Sequence, residues 1–411
     1  METIIACRVC SSKNIVGFFD LGKQPLANSL PARPDEREDV YPLSLSYCRD
    51  CGLAQLNETV PPGILFSQYV WVTGTSRTAN EFAKKFHVEL EARAGVQKEG
   101  YVLEVASNDG TFLRPFKEAG WKVLGVDPAE NISEMAARSG IRTKCVFFGE
   151  AAANEIVKEN SGTAWIVFAR NVLPHVANTI DFTHGLRAAL HEDGVLAIEA
   201  HYAKTILEEL HYDSIYHEHL CYFTLKSLER LLNDSGLYVF DAVKSPTSGG
   251  SMVVYAKKKK VRERARVGEL RAAETAARIN ELARWEEFAK RSFAHKDALN
   301  AMLRDAAGRG KVVAGWGASA RSSTLLNFCG IDAKTISAIA DLNPLKQGRF
   351  TAGTHIPINK AEEVMATNPR CMFILAWNFA DEIMDALKNK FHYAGSAIIP
   401  LPNDPRLIRS L

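Results

Sequence analysis

Four consecutive residues carry the groups best suited to proton transfer in this 411-residue chain, namely Tyr216, His217, Glu218 and His219. Imidazole titrates near neutral pH, and a carboxyl or phenol group can be tuned towards that range. Burying several ionisable groups side by side is costly unless they are paired. We therefore predict that this cluster has a chemical role rather than a packing role.

A polar turn follows a buried strand in the stretch Leu103-Glu-Val-Ala-Ser-Asn-Asp-Gly110. It has a single glycine, Gly110, whereas a dinucleotide pyrophosphate needs several glycines so that the backbone can approach it. S-adenosylmethionine carries no phosphate, and its zwitterionic methionine and its ribose suit carboxylate, amide and hydroxyl groups. The turn therefore favours this methyl donor, and the alternative is a Rossmann-like sheet that lacks it.

Residues beyond the turn complete the expected cofactor site. Asp127 ends the second strand, where it can accept hydrogen bonds from ribose hydroxyls. Phe147 or Phe148 is a candidate for packing on the adenine, although a phenylalanine after a strand also suits the core. The predicted S-adenosylmethionine site comprises Glu104, Ala106, Ser107, Asn108, Asp109, Gly110, Asp127, Phe148 and Asn171.

Two further segments lie where a ligand is expected. His175 follows the third strand, at the carboxyl edge where open α/β sheets bind ligands, so it is a candidate for the reaction centre. The segment Ser67–Ser76 is rich in hydroxyl and aromatic side chains, including Tyr69. It suits a sugar-binding lip or a lid over the cofactor.

Two C-x2-C pairs, Cys7 with Cys10 and Cys48 with Cys51, are separated by 37 residues. Zinc prefers a tetrahedron of ligands, and each pair presents two sulfurs to one ion. Four thiolates leave no open position for catalysis, so we predict a structural Zn²⁺. The alternatives are a redox pair or a nucleic-acid-binding ribbon, which would usually carry more lysine and arginine.

Strands alternate with helical segments from residue 78 onwards, which indicates an α/β fold with a doubly wound, mostly parallel sheet. Residues 261–308 form a long amphipathic stretch, predicted as one or two helices. A second alternation beginning at Lys311 predicts a smaller Rossmann-like C-terminal domain. The expected organisation is a zinc-binding unit at 1–66, a methyltransferase domain at 67–260, and a helical linker with the Rossmann-like domain at 261–411.

Another glycine turn, Gly315-Trp-Gly317-Ala-Ser-Ala-Arg321, follows the first strand of the C-terminal domain. Two glycines, small residues and a helix N-terminus would hold a diphosphate, with Arg321 as the counter-charge. A second turn of this kind beside a methyl-donor domain predicts a second ligand.

Composition narrows the class of protein. The apolar share of 46% and the charged share of 24% are ordinary for a globular chain, and the net charge of +2 favours neither nucleic acid nor an acidic membrane as partner. No apolar run reaches the ~18 residues of a membrane helix, and the first residues do not resemble a signal peptide. We expect a cytoplasmic protein without nucleic-acid or membrane partners. The oligomeric state stays open, and a monomer is compatible with the sequence.

Together these motifs resemble the nucleotide-sugar C-methyltransferases of the tetronitrose and mycarose type over nearly the whole chain. The resemblance implies methylation at carbon 3 of a nucleoside-diphosphate 4-keto-6-deoxy sugar. It assigns catalytic roles to Tyr69, His175, Tyr216, Glu218 and His219. It assigns nucleotide-sugar binding to Gly317, Ala318, Arg321, Asn327 and Asp341. The chain departs from the usual family pattern in two places, with Trp71 in place of a second tyrosine and with Arg321-Ser322 in place of a common lysine and glycine.

The implied substrate predicts a mechanism. A 4-ketone acidifies the hydrogen on carbon 3, and His219 is predicted to remove it as the general base. Glu218 would orient His219 or a sugar hydroxyl, while His175 and Tyr216 would contact the ketone or the ring hydroxyls. The alternatives are a sugar O-methyltransferase, an RNA methyltransferase with a zinc module, and a non-catalytic nucleotide-sugar binding protein.

Overall fold

Three main sheets organise the chain in the computed structural model, which describes residues 1–69, 71–95, 100–308 and 312–410. One cluster of buried apolar side chains runs through all three. Val70, in the 67–76 segment, and Lys311, the first residue of a predicted strand, lie outside the described residues. Within the described ranges, no helix has both the length and the apolar content needed to span a membrane.

An antiparallel sheet forms the N-terminal unit. The β2–β3 hairpin pairs Ile15 with Cys48, which brings the two cysteine pairs to the same end of the sheet. Strand β4 pairs with β3, and the short strand Cys221–Tyr222 adds to the outer edge of β4. The chain directly after the predicted catalytic residues therefore belongs to this sheet. The elements of the unit are β1 (Glu2–Thr3), β2 (Ile15–Pro25), β3 (Val40–Cys48), β4 (Ala54–Leu56), β5 (Glu58–Thr59) and α1 (Pro62–Phe66).

The middle domain contains a seven-stranded sheet in the order β12-β13-β10-β9-β6-β7-β8. Its strands are parallel except β13, which runs antiparallel to β10 and β12. Strand β6 is buried along its whole length because helices cover both faces of the sheet. The elements are α2 (Arg77–Ala94), β6 (Tyr101–Val105), α3 (Arg114–Glu118), β7 (Lys122–Val126), α4 (Glu130–Arg138), β8 (Thr143–Lys144), α5 (Glu150–Glu159), β9 (Ala164–Arg170), α6 (Thr179–Ala189), β10 (Leu190–His201), α7 (Ala203–Glu209), β11 (Cys221–Tyr222), α8 (Leu225–Asp234), β12 (Tyr238–Ser245) and β13 (Ser251–Lys257).

The C-terminal part begins with two helices and continues as a second sheet in the order β16-β17-β15-β14-β18-β19-β20. The five central strands are parallel, and β16 and β20 are antiparallel edges. The helices break at Arg278, which adopts a φ of 55°. The elements are α9 (Ala265–Ala276), α10 (Leu282–Gly308), β14 (Val313–Trp316), α11 (Ala320–Cys329), β15 (Ile339–Ala340), β16 (Arg349–Phe350), β17 (Pro357–Asn359), α12 (Ala361–Ala366), β18 (Cys371–Ile374), α13 (Ala380–Asn389), β19 (Ser396–Ile399) and β20 (Arg406–Ile408).

Candidate active site and zinc centre

The sulfur atoms of Cys7, Cys10, Cys48 and Cys51 all lie within 4.8 Å of one another. The separation is 3.5 Å between Cys7 and Cys51 and 3.6 Å between Cys10 and Cys48. A tetrahedron with Zn–S bonds of about 2.3 Å places its sulfurs about 3.8 Å apart, so the cluster has the size that one Zn²⁺ requires. All four ligands would come from the protein, which is the arrangement of a structural site.

His219 is oriented by the backbone just before it. Its Nδ1 lies 2.8 Å from the carbonyl oxygen of Ser214, and its Nε2 lies 2.8 Å from the hydroxyl of Tyr216. A carbonyl can only accept, so the network assigns the proton to Nδ1 and leaves Nε2 as the acceptor. The tautomer therefore presents a basic nitrogen, and Ser214, which the sequence did not single out, fixes it.

His175 stands against the same imidazole. Its ring centroid lies 4.8 Å from that of His219 and 5.6 Å from that of Phe66. Burial lowers the pKa of His175 to about 4. Burial, together with His175 and the charge of Arg321, lowers the pKa of His219 well below its usual range. Both imidazoles are therefore neutral near pH 7.

Glu218 is only 3% exposed, and its Oε1 accepts a 2.5 Å hydrogen bond from the side-chain amide of Asn28. Burial raises the pKa of Glu218 to about 7, while the hydrogen bonds from Asn28 and Tyr69 act in the opposite direction. Tyr69 thus joins the cluster from the 67–76 segment. The structure brings together all five residues predicted to be catalytic, although Ser214 rather than Glu218 orients His219.

The turn after β6 has the backbone and the polar groups that the cofactor prediction requires. Gly110 has a φ of 79°, and a Cβ there would lie 2.7 Å from Ile141 Cγ1, so only glycine fits. Asp127 accepts hydrogen bonds from the amides of Asn108 (2.9 Å) and Ala129 (3.0 Å), and each of its oxygens keeps a free acceptor site. Ser107 Oγ is buried and has no hydrogen-bond partner among the described residues.

The remaining predicted cofactor residues are Glu104, Ala106, Phe148 and Asn171. Glu104 is 3% exposed, with a pKa raised well above its usual range by burial. Ala106 and Asn171 both adopt positive φ, of 57° and 50°, at the carboxyl edge of the sheet. Phe148 packs edge-on against Phe182, with ring centroids 5.5 Å apart.

The 67–76 segment lies over this turn. The amide of Thr73 donates to Asn108 Oδ1 at 2.9 Å, and the amide of Gly74 donates to Asp109 Oδ2 at 3.0 Å. A Cβ at Gly74 would lie 2.4 Å from Asp109 Oδ2, so the two segments are in close contact. Asn108 and Asp109 therefore hold the segment that carries Tyr69.

The C-terminal glycine turn repeats the geometry of the first. Gly317 has a φ of 94°, and a Cβ there would meet Ala376 Cβ at 2.3 Å. Asp341 accepts from the Ala318 amide at 2.8 Å, as Asp127 does from Asn108. Asn327 donates to the carbonyl of Ala352 at 3.0 Å. Asp341 is thus the counterpart of Asp127 in the second sheet.

Helix α11 also contacts residues 213–219, the catalytic segment, directly. Arg321 lies 3.5 Å from Asp213 Oδ1 and over the ring of Trp377. Thr324 donates to the carbonyl of Ile215 at 2.8 Å, one residue before Tyr216. The C-terminal domain therefore contacts this part of the chain through the first turns of α11.

A mixed sheet with a polar turn after its first strand, and with the neutral imidazole of His175 after the neighbouring strand β9, is the arrangement of a methyltransferase, here with a separate zinc unit. Family models match residues 7–66 as a zinc binding domain, 77–242 as a methyltransferase domain and 246–402 as a C-methyltransferase C-terminal domain. C-methyltransferase NovU from Streptomyces niveus is 33% identical over 99% of this chain and 98% of its own. The chain belongs to the family of S-adenosylmethionine-dependent sugar C-methyltransferases.

Solved methyltransferases show lower similarity. Magnesium protoporphyrin IX methyltransferase (ChlM) from Synechocystis PCC 6803 with bound SAM is 14% identical, covering 43% of this chain and 78% of its own, with a TM-score of 0.33. The CcbJ methyltransferase from Streptomyces caelestis is 14% identical, covering 43% of this chain and 88% of its own, with a TM-score of 0.33. The predicted family, α/β fold class, methyl donor and structural zinc are confirmed.

Proposed function

We propose that the protein methylates carbon 3 of a nucleoside-diphosphate 4-keto-6-deoxy sugar. The observation that carries the proposal is the neutral His219 in the methyltransferase domain, with its Nδ1 proton held by Ser214 and its Nε2 left basic. Carbon methylation requires the removal of a C–H proton before the new bond forms. Methylation of a sugar hydroxyl would use the same base but would not pass through an enolate. The C-methyltransferase relative also favours carbon over oxygen.

His219 takes the proton from carbon 3, and the electrons of that bond move to the 4-keto oxygen. When bound, S-adenosylmethionine supplies an electrophilic methyl group for the resulting carbanion. The substrate carbon would replace the Tyr216 hydroxyl at Nε2, so this phenol becomes free to donate to the enolate oxygen. Such a hydrogen bond strengthens as negative charge develops on oxygen. Tyr216 and His219 thus share one proton-transfer unit.

The methyl donor would be held at the turn after β6. Asp127 would accept from the ribose hydroxyls, and Ser107 and Glu104 offer buried polar groups for the methionine part. The segment that carries Tyr69 covers the turn and keeps water from the reacting atoms. This exclusion matters because an enolate is readily protonated by solvent.

The nucleotide part would bind on the C-terminal domain, with Arg321 as a positive charge near the diphosphate. The charge of Arg321 already influences the cluster, because after burial it contributes to the lowered pKa of His201 and His219. Asp341 is available for the ribose as Asp127 is in the other sheet. This arrangement would place the sugar ring between the two domains.

The deciding experiment offers nucleoside-diphosphate 4-keto-6-deoxy sugars, with thymidine, uridine, guanosine and cytidine as bases, together with S-adenosylmethionine. We expect a product whose NMR spectrum shows a methyl group on a quaternary carbon. In deuterated solvent without methyl donor, the hydrogen on carbon 3 should exchange. A methoxy signal, or transfer without any exchange, would show oxygen methylation and refute the proposal.

A further inference from the structure

Asn28 belongs to the N-terminal zinc unit but contacts the catalytic cluster. It lies three residues after the end of β2, and its amide nitrogen is 2.5 Å from Glu218 Oε1, 190 positions away in the chain. Glu218 is buried, so few groups can reach its carboxyl oxygens. The zinc unit therefore supplies a hydrogen-bond donor inside the active site.

The loop at 26–39 that carries Asn28 is fixed at several points against the C-terminal domain. Glu38 Oε1 accepts from the amide of Gly353 at 2.8 Å and pairs with His355 at 2.6 Å. The carbonyl of Pro31 accepts from the amide of Phe350 at 3.0 Å. These contacts hold the loop in place independently of Glu218, so the direction of the Asn28 amide is set before any ligand binds.

The catalytic segment is attached to the same unit on its other side. His217 Nε2 lies 3.1 Å from the carbonyl oxygen of Pro42, and Cys221 pairs with Gln55 across β11 and β4. Both ends of the Asn28–Glu218 contact are thus anchored on one sheet. Such anchoring is what a fixed hydrogen bond to one carboxylate oxygen requires.

We infer that Asn28 is a positioning residue that holds one oxygen of Glu218 and favours its ionised form. The other oxygen, which is buried without a hydrogen-bond partner among the described residues, is left for the sugar. An amide N–H stabilises a carboxylate more than a neutral carboxyl group. The zinc unit thereby completes the active site as well as stabilising the fold. The link from this contact to turnover rests on the proposed function.

Other groups around Glu218 set the background against which Asn28 acts. Tyr69 comes from the 67–76 segment, and His175 comes from the turn Leu173–His175. Tyr216 and His219 are close to Glu218 in the chain itself. Arg321 on α11 adds a positive charge that acts on Tyr216 and His219. None of these groups changes when Asn28 is replaced.

The test compares Asn28→Ala and Asn28→Asp with the wild type in the zinc-loaded full chain. Asn57 provides the matched control, because its amide donates to Ser44 within the zinc unit and does not contact residues 216–219. We expect the acidic limb of kcat/KM against pH to move to higher pH in both Asn28 variants. Loss of one hydrogen bond to a charged group corresponds to a roughly 10-fold lower rate below the limb.

The order of the two variants separates positioning from packing. Aspartate has the size of asparagine, so a packing role predicts that Asn28→Asp is the milder change. A role in favouring the Glu218 charge predicts the opposite, because a second carboxylate moves the limb further. Asn57→Ala should lower Tm and leave the limb in place. A limb at the wild-type position in both Asn28 variants overturns the inference, whatever the loss of rate.

A direct titration keeps this test separate from the proposed function. The carboxyl C=O band of Glu218 can be followed by infrared difference spectroscopy, with Glu218→Gln as the blank, and zinc content and Tm confirm that each variant is folded. We expect the titration of Glu218 to move to higher pH in Asn28→Ala. If the wild type does not methylate ketosugars but this shift is seen, the proposed function fails and the Asn28 contact stands. If the shift is absent, the Asn28 inference fails alone.

Discussion

His219 has one ring nitrogen fixed by a carbonyl and one nitrogen available for chemistry, and this division makes it a base rather than an acid at neutral pH. Because its pKa is lowered, the imidazole of His219 is already neutral at this pH and does not have to lose a proton before it can act as a base. A base with so low a pKa removes protons only when the product anion is stabilised at once. The Tyr216 hydroxyl, 2.8 Å away, is suited to that stabilisation.

We predict that His219→Asn loses turnover and retains binding of the methyl donor and the sugar nucleotide. General base catalysis contributes about 10²–10⁴-fold, so kcat should fall in or above that range. Exchange of the carbon 3 hydrogen in deuterated solvent should disappear as well, because exchange requires the base but no methyl donor. NMR and calorimetry measure the two effects separately.

His175→Asn is the necessary control, since the two imidazoles lie 4.8 Å apart. We expect this variant to turn over slowly and still exchange the carbon 3 hydrogen. Exchange that persists without His219 and vanishes without His175 would show that the base is the other imidazole.

The raised pKa of Glu218 should also make the free energy of unfolding depend on pH. Its folded pKa of about 7 lies above the ordinary 4.5, so between those values the folded carboxyl binds a proton that the unfolded one has lost. The free energy of unfolding therefore falls as pH rises through this window. Glu218→Gln should abolish that fall and raise stability at pH 8 by up to about 3 kcal/mol. Thermal scans from pH 5 to pH 8 measure this, and equal slopes for both proteins would contradict it.

At the residue scale, the sequence reveals an unusual run of ionisable side chains but not the residues that contact this run in the folded protein. The run from Tyr216 to His219 is visible because four ionisable or polar groups are adjacent in the chain. Ser214 acts through its carbonyl, which every residue possesses, and Asn28 is 190 positions from Glu218. Neither contact leaves a local pattern that sequence reasoning can read.

The two strand–turn–helix units form a natural comparison at the scale of elements. In each, an acid at the end of the second strand accepts an amide hydrogen bond from the turn after the first strand. The position of these acids follows from the parallel register. Sequence pattern alone placed Asp127 at the end of its strand, whereas the assignment of Asp341 came from the family resemblance. The start of the helix after the first turn is harder to predict, because α3 begins only at Arg114.

We predict that Asp127→Ala weakens S-adenosylmethionine binding by about 10-fold or more, since it removes an ionised hydrogen-bond acceptor. Asp341→Ala is the matched control, because it removes the same group from the same place in the other sheet. That variant should keep the affinity for the methyl donor and raise the KM for the sugar nucleotide. Calorimetry with S-adenosylmethionine decides, and equal effects of both changes would argue against separate ligand sites.

For the whole molecule, the catalytic segment lies where the three units meet. The zinc unit contacts it through Asn28 and β4, and the C-terminal domain contacts it through Thr324 and Arg321. The sequence predicted three units because each has its own pattern of cysteines, glycine turns or strands. The sequence could not predict that β11 of the middle domain pairs with β4 of the zinc unit, because β11 has only two residues.

This shared placement makes a definite prediction for zinc removal. The cysteine cluster lies at the end of the same sheet that holds β11, so loss of the metal should disorder the sheet and displace residues 216–222. The middle domain should still bind S-adenosylmethionine, because none of its cofactor residues contacts the cluster. Cys48→Ser should therefore lower Tm, open the first 66 residues to protease and abolish turnover while keeping methyl-donor affinity within a few-fold.

Metal analysis, limited proteolysis and calorimetry on the same preparations test these effects. Cys145 is exposed and lies outside the cysteine cluster, so Cys145→Ser is the control variant that should keep its zinc. We expect one zinc per chain in the wild type. A catalytic metal would instead keep an open coordination position for water, and its loss would stop turnover without unfolding the zinc unit. Turnover lost with Tm and proteolysis unchanged would therefore contradict a structural zinc.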